Sequence, residues 1–511
     1  MEVALTIRDH VERAALVYGD RTGIIDEPAQ PATPSPDLSY TEVLRRAKAL
    51  ASGLEKAGVP QGGRVAMVSQ NASRMLVFLY GVPGWGRVGV PVNFRLNAVE
   101  IQYIVDHSGA EITLVDPELM DSLGGLENTR VIEIGSPEEE ALFDYDNEPS
   151  DWEWDENGTA TINYTSGTTA RPKGVEMTHR NLWVNAATFG WQASISDRDV
   201  YLHTLPMFHC NGWGMPYAVA GMGVKQVVIR KIDGAEILRR VEEHGVTVMC
   251  AAPAVLASIL DAAATWDGEI PGRDRVRIIC AGAPPPTQTI ERCETELGWE
   301  FIQIYGLTET APLLTMSRGR AEWDDLPAAE RAQKLSRAGA PALGVRMKTS
   351  ESGELLAKSN VVLKSYWDQP DATAQALEGG WFHTGDGGIV DDDNYVVIAD
   401  RKKDVIISGG ENVSSIEVED ALFSHPEVTE VAVIGVPDEK WGETVKGLVV
   451  LAEGSSLTEA ELIEHCRNRL AHYKCPTSVE MRDELARTAT GKLQKFKLRE
   501  PYWEGFERAV N

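Results

Sequence analysis

Between Val246 and Gly306 the chain alternates apolar strands with a helical stretch: "VTVMCAAP", "AVLASILDAAATW", "VRIICAGAP" and "FIQIYG". Strand, helix, strand with short connections means a parallel sheet, because the helix returns the chain to the edge from which the strand started. Ligands of such sheets bind outside the carboxyl ends of the strands. The loops "CAGAPPP" and "IYGLTET" are therefore expected to face one crevice. Earlier, "SYTEVLRRAKALASGLEKAGV" repeats Val43, Ala47, Leu50, Ala51 and Leu54 at the spacing of a helix with one buried face, and "RVAMVS" follows as a short buried strand.

With 511 residues the chain is too long for a single core. Its pattern changes after the acidic turn at 391–394. From Arg401 onward, Ser414 with Glu417 and Thr458 with Glu461 fit helix capping boxes, and "VTEVAVIGV" and "TVKGLVVLAEG" alternate as strands. The expected fold class is α/β: residues 1–400 form a large N-terminal domain of mostly parallel sheets in layered α/β subdomains, and residues 401–511 a small α+β domain.

The formal net charge of −28 argues against a nucleic-acid or anionic-membrane surface, but a pocket can oppose the global field. Six cysteines stand singly with no CxxC pair, so neither a disulfide framework nor a zinc site is expected. No apolar run reaches the roughly 18 residues of a membrane span. The expectation is a cytoplasmic protein without stable membrane insertion.

The stretch "NYTSGTTARPKGVEMTH" is the chemical centre of the sequence. Thr165, Ser166, Gly167, Thr168, Thr169 and Ala170 offer six backbone N–H groups and four hydroxyls, a nest suited to phosphate oxygens, and Lys173 adds a point charge. It is no Walker A loop, since Pro172 and Gly174 stand where that motif needs Gly and Ser or Thr. Taken alone, such a cluster is also compatible with an ordinary turn.

"YTSGTTxRPKG" resembles the phosphate loop of the adenylate-forming superfamily, in its acyl-CoA synthetase branch. Further hallmarks of that family follow in order: "LPMFHCNGWG", "AGAPPP", "IYGLTET", "FHTGDGG", "DRKKDVIISGGENVSSIEVE" and "RTATGKLQKFKLRE". The resemblance implies an acid–CoA ligase working through an acyl adenylate, with ATP or acyl-AMP, Mg2+ and coenzyme A as reactants and a mobile C-terminal domain. It assigns Gly282, Ala283 and Pro284 to the adenine side, Tyr305 to adenine stacking, Thr308 to the α-phosphate, and Glu309 to Mg2+ through the nucleotide. Asp386 and Arg401 would bind the ribose, and Lys403 would be the hinge. Lys492 would bridge carboxylate and phosphate, in a segment from Arg487 to Arg499 that carries five basic residues and no acidic one. His209 with Ser408, Gly409 and Gly410 would line the CoA tunnel. Asn211, Gly212, Trp213, Ala281 and Gly306 would shape an acyl pocket for a hydrophobic acid, although the glycines after His209 equally suit helix packing.

Ala170 stands where the family loop carries glycine. At positive φ a methyl costs about 1 kcal/mol or more, and it would also crowd the β- or γ-phosphate. ATP-dependent adenylation is thus in question, while thioester formation from an adenylate is expected intact. Two alternatives stay open: a ligase that takes its acyl adenylate from a partner enzyme, and a non-catalytic nucleotide-binding protein. Transfer to a carrier protein's pantetheine in place of CoA is a further variant.

Overall fold

The computed structural model describes residues 1, 3–151, 154–165, 172–401, 404, 406–408, 411–438, 441–487 and 493–504. Six strands lie side by side and parallel in a nine-stranded sheet, in the order Thr22–Ile25, Lys225–Val228, Val200–His203, Val248–Ala251, Arg277–Cys280 and Glu300–Gly306. Antiparallel strands Leu38–Ser39 and Leu313–Ser317 extend it at either side, and Ala340–Pro341 pairs beyond the latter. The expected strands at 246–253, 276–284 and 301–306 all contribute to this parallel run. Helix Pro253–Ala263 makes the crossover read from the sequence.

A seven-stranded sheet runs Ser365–Tyr366, Lys173–Thr178, Thr159–Thr165, Val88–Val92, Arg64–Val68, Ala110–Val115 and Arg130–Glu133. Its last five members are parallel, and its first three pair antiparallel. The helix Tyr40–Lys56 buries Val43, Ala47, Leu50, Ala51 and Leu54, the face expected from their spacing, and Ser39 caps it by accepting from the Glu42 amide. Those side chains join one apolar cluster with Phe78, Leu114, Met177, Phe189 and Ile302. The two sheets therefore share an apolar core. A four-stranded antiparallel sheet, Arg346–Thr349, Glu354–Lys358, Phe382–Val390 and Val396–Arg401, leads out of this body.

The C-terminal part has its own sheet, in the order Glu411–Val413, Ile406–Ser408, Gly442–Leu451 and Val428–Asp438, with Ser478–Met481 pairing parallel to Gly442–Leu451. Helices Ser415–Phe423 and Glu459–Arg467 pack on it over a separate core that includes Val418, Leu422, Val433 and Leu462. Ser414 caps the first helix by accepting from the Glu417 amide, and at Thr458 both halves of the capping box with Glu461 are formed. A large α/β domain with a small α+β domain is the architecture expected. The small domain touches the large one where the Asp420 carboxylate accepts from the Thr287 amide at 2.8 Å and the Thr287 hydroxyl at 3.1 Å. No described helix is long and apolar enough to cross a membrane.

Three imidazoles are buried in the large domain: His10 against Trp183 and Tyr217, His179 at the head of helix His179–Gln192, and His203 beside Gln226. Burial holds each down to about 4 from an ordinary 6.5. The unfolded chain binds protons on them between these values and the folded chain does not, so stability is full above pH 6.5 and falls toward pH 4. Each contributes a loss on the order of 3 kcal/mol across that window. His10 Nε2 has no hydrogen-bond partner among the described residues. His10→Phe is expected to flatten the fall of the denaturant midpoint between pH 7 and pH 4.5; an unchanged slope would show that His10 is not buried neutral.

Candidate active site

Because Val200–His203, Val248–Ala251, Arg277–Cys280 and Glu300–Gly306 run parallel, the loops that leave their carboxyl ends emerge on one edge of the sheet. The loops "CAGAPPP" and "IYGLTET" are adjacent there, as the sequence suggests. Ala281 is buried, while Gly282, Ala283 and Pro284 are exposed on the rim, with Gly282 at φ 98°. Tyr305, next to last in its strand, is nearly buried, and its hydroxyl donates to Asp386 Oδ2 at 2.8 Å. Asp386 lies on Phe382–Val390 directly opposite Arg401, so the two residues expected at the ribose are cross-strand partners.

After Tyr305 the chain turns sharply. A Cβ on Gly306 would lie 1.5 Å from the Pro312 carbonyl oxygen, so only glycine fits beneath the turn. The short 3-10 turn Thr308–Thr310 then presents Glu309. Glu309 Oε1 accepts from the Tyr366 hydroxyl at 2.9 Å, and the Lys173 ammonium stands 4.7 Å over the Tyr366 ring. Burial and the Glu309 charge push the Tyr366 hydroxyl well above the ordinary tyrosine range, so it keeps its proton and acts as a donor. Carboxylate, phenol and ammonium thus form one half-buried cluster joining the "GLTET" turn to the strand that ends the phosphate loop.

Thr165 and Lys173 are the last cross-strand pair of the hairpin whose tip is that loop. Ser166, Gly167, Thr168, Thr169 and Ala170 lie outside the described residues. Two side chains of helix Ala98–Ser108 grip the stems below them. Tyr103 donates to the Pro172 carbonyl at 3.4 Å, and His107 Nδ1 shares a hydrogen bond of 2.8 Å with the Tyr164 hydroxyl. Burial holds the His107 imidazole below its ordinary value, with Asp368 opposing.

His209 is half-buried, after the strand Val200–His203 and ahead of an unusual turn. Cys210, Asn211, Gly212, Trp213 and Gly214 all have left-handed backbone, with φ of 48°, 52°, 59°, 61° and 73°. For residues other than glycine this conformation costs about 1–2 kcal/mol each, with Asn the most tolerant. The strand end before it is fixed by Asn71, whose amide donates to the carbonyls of His203 and Leu205 and accepts from the Met207 amide. Trp213 is 6% exposed, and Phe208 meets Phe94 edge to face at 5.7 Å. Of the glycines further on, Gly221 admits His10 and Gly223 admits Tyr18. Those two serve helix packing, one of the two uses the sequence allows.

A family model described as "AMP-binding enzyme" matches residues 11–367, and "AMP-binding enzyme C-terminal domain" matches 417–492. The chain belongs to the AMP-binding enzyme family. The 2-methylpropanoate–CoA ligase of Humulus lupulus is 36% identical across 97% of this chain and 95% of its own. The 4-hydroxybutyrate–CoA ligase 2 of Metallosphaera sedula is 34% identical across 96% and 93%. The o-succinylbenzoate-CoA synthetase of Bacillus subtilis, solved with ATP and magnesium ion, superposes with a TM-score of 0.81 at 27% identity, covering 96% of this chain and 99% of that one.

Of the residues expected to work in this AMP-binding enzyme, Tyr305, Asp386, Thr308, Glu309, Lys173 and His209 are held by elements meeting at one sheet edge. Lys492, Lys403, Gly409 and Gly410 lie outside the described residues, and Ser408 ends the strand Ile406–Ser408. Asn211 is fully buried, with its amide bonded to Thr161 and Asn163. Tyr366, Asn163, Asn185, Tyr103 and His107 escape a sequence reading, because no spacing links "SYWD" or the end of a surface helix to a loop far away in the chain. If the Tyr305–Asp386 bond orients the nucleoside, Tyr305→Phe should raise the KM for ATP about tenfold, the usual worth of a hydrogen bond to a charged group. An unchanged KM would remove that role.

Proposed function

We propose that the protein is an AMP-forming acid–CoA ligase acting on a hydrophobic carboxylic acid. The observation that carries this reading is the convergence of the Tyr305–Asp386 pair, the Glu309–Tyr366–Lys173 cluster and the His209 turn on one edge of the parallel sheet. The relatives named as CoA ligases and the solved synthetase with ATP and magnesium support it.

In the first half-reaction a carboxylate oxygen of the acid attacks the α-phosphorus of ATP and pyrophosphate leaves. Both reactants are anions, so the site must set donors and cations where charge accumulates. Thr165, Ser166, Gly167, Thr168, Thr169 and Ala170 surround the phosphates, Lys173 stands at the loop's exit, and Thr308 meets the α-phosphate. Lys492 reaches in from the small domain and bridges the acid to the nucleotide. Tyr305 and Asp386, with Arg401, hold the nucleoside, and Gly282, Ala283 and Pro284 border the base.

Among the described residues no group of three or more His, Cys, Asp or Glu gathers to form a protein-only metal site. A lone carboxylate beside phosphates suits magnesium, which takes oxygen ligands and leaves much of its shell to substrate and water. Glu309, oriented by Tyr366, would hold that ion, which supplies charge neutralisation at the phosphate oxygens.

In the second half-reaction the CoA thiolate attacks the acyl carbonyl and AMP leaves. The domain boundary at 400/401 and a hinge at Lys403 let the small domain withdraw Lys492 and bring Ser408, Gly409 and Gly410 to the CoA tunnel, with His209 between tunnel and acyl pocket. Trp213 and the Phe94–Phe208 pair supply aromatic surface on the acyl side, which favours apolar acids. Six buried free thiols suit a reducing compartment such as the cytoplasm, although one relative is named peroxisomal.

Ala170 weakens the first half-reaction and not the second, because acyl-AMP lacks the phosphates that its methyl would crowd. The test supplies 2-methylpropanoate or 4-hydroxybutyrate with ATP, Mg2+ and CoA, beside the matching synthetic acyl adenylate with CoA, and measures thioester in both. Thioester is expected from both routes. Ala170→Gly is expected to lower the KM for ATP about fivefold, as relief of roughly 1 kcal/mol implies, and to leave the adenylate route unchanged. No thioester from either route would overturn the ligase reading, and an Ala170→Gly enzyme identical to the parent would overturn the claim about the loop.

A further inference from the structure

The left-handed turn from Cys210 to Gly214 makes two backbone hydrogen bonds of its own, from the Gly212 amide to the His209 carbonyl and from the Gly214 amide to the Asn211 carbonyl, and is anchored further from outside. Its anchors come from the strand that enters the phosphate loop and from the helix that follows its exit strand. Thr161 and Asn163 lie on Thr159–Thr165, and Asn185 lies on His179–Gln192. Thr161 Oγ1 donates to Asn163 Oδ1 at 2.9 Å, Asn163 Nδ2 donates to Asn211 Oδ1 at 3.1 Å, and Asn211 Nδ2 donates back to Thr161 Oγ1 at 2.9 Å. The ring is closed, each member donates once and accepts once within it, and all three residues are at most 1% exposed. Such a ring is self-reinforcing while complete, and opening it strands buried polar atoms.

Asn185 adds the second anchor. Its amide donates to the Trp213 carbonyl at 3.2 Å and its oxygen accepts from the Leu313 amide at 3.1 Å, just beyond the turn that carries Glu309. A Cβ on Gly214 would sit 2.4 Å from Asn185 Nδ2, so the last residue of the turn is shaped to let that amide in. Backbone strain of this kind persists only where the surroundings over-determine it, and it concentrates at working sites.

We infer that the Thr161–Asn163–Asn211 ring, backed by Asn185, is a positioning device for the acyl side of the site. It uses the rigid stem of the phosphate hairpin as the reference against which His209 and Trp213 are placed. None of the ring residues is asked to touch the reacting atoms. The inference rests on the acid–CoA ligase reading above.

Thr161→Val replaces the hydroxyl by a methyl of the same shape and opens the ring; Thr161→Ser keeps the hydroxyl. With thioester formation followed against acid and against ATP, Thr161→Val is expected to raise the KM for the acid about tenfold or more, and to move the KM for ATP by less than about threefold. Thr161→Ser should restore the parent values. Equal shifts in both KM values alongside a lowered Tm would mean a merely structural role, and unchanged kinetics in Thr161→Val would mean the ring positions nothing; either result overturns the inference. If Thr161→Val does not fold, Asn211→Gly decides by the same split, since glycine accepts the left-handed backbone and lacks the amide. A parent enzyme that forms no thioester from acid or adenylate would instead defeat the ligase reading, which keeps the two failures apart.

Discussion

The antiparallel pairing of Thr159–Thr165 with Lys173–Thr178 is the contact on which the site depends. It fixes the two ends of the phosphate loop one cross-strand step apart, at Thr165 and Lys173. Its outer strand pairs in turn with Ser365–Tyr366, and that register delivers the Tyr366 hydroxyl to Glu309. Glu176 in the same strand is buried and accepts from the hydroxyls of Thr159 and Ser365, which locks the three strands together. Tyr103 and His107 grip the stems from the far side. This frame holds the two stems of the phosphate hairpin in place.

The frame also reconciles an acidic protein with anionic reactants. A formal charge of −28 spread over the surface is screened within about 10 Å at ordinary salt. Close to the hairpin the balance is local. The Lys173 ammonium lies over an aromatic face, and Glu309 is tied to a phenol that keeps its proton. Donors fixed in place at the point of charge development count for more than bulk charge, because they need not reorganise during the reaction.

Much of this was legible in the chain itself. Local periodicity gave the helix Tyr40–Lys56 and the strands at Val248, Arg277 and Glu300, since burial of one face leaves a repeating mark. The parallel order then placed "CAGAPPP" and "IYGLTET" on one edge. Tyr305, Glu309 and Asp386 stood out because their motifs did. Asn185 and Tyr366 did not, because an isolated polar residue in a helix or strand carries no sign of its distant partner. The left-handed run at Cys210–Gly214 was equally invisible, for only two of its five residues are glycine, and nothing local explains why Cys210 and Trp213 adopt that backbone. The strain there is a property of the assembled core.

The central claim is that the acid is activated as an adenylate. The most direct measurement uses an accepted acid labelled with 18O in its carboxylate, turned over with ATP, Mg2+ and CoA, with the phosphate products read by mass spectrometry. Attack of the carboxylate on the α-phosphorus predicts that label passes into the released AMP while pyrophosphate stays unlabelled. Label appearing in orthophosphate, with ADP as the nucleotide product, would mean that the acid is activated at the γ-phosphorus and would contradict the account.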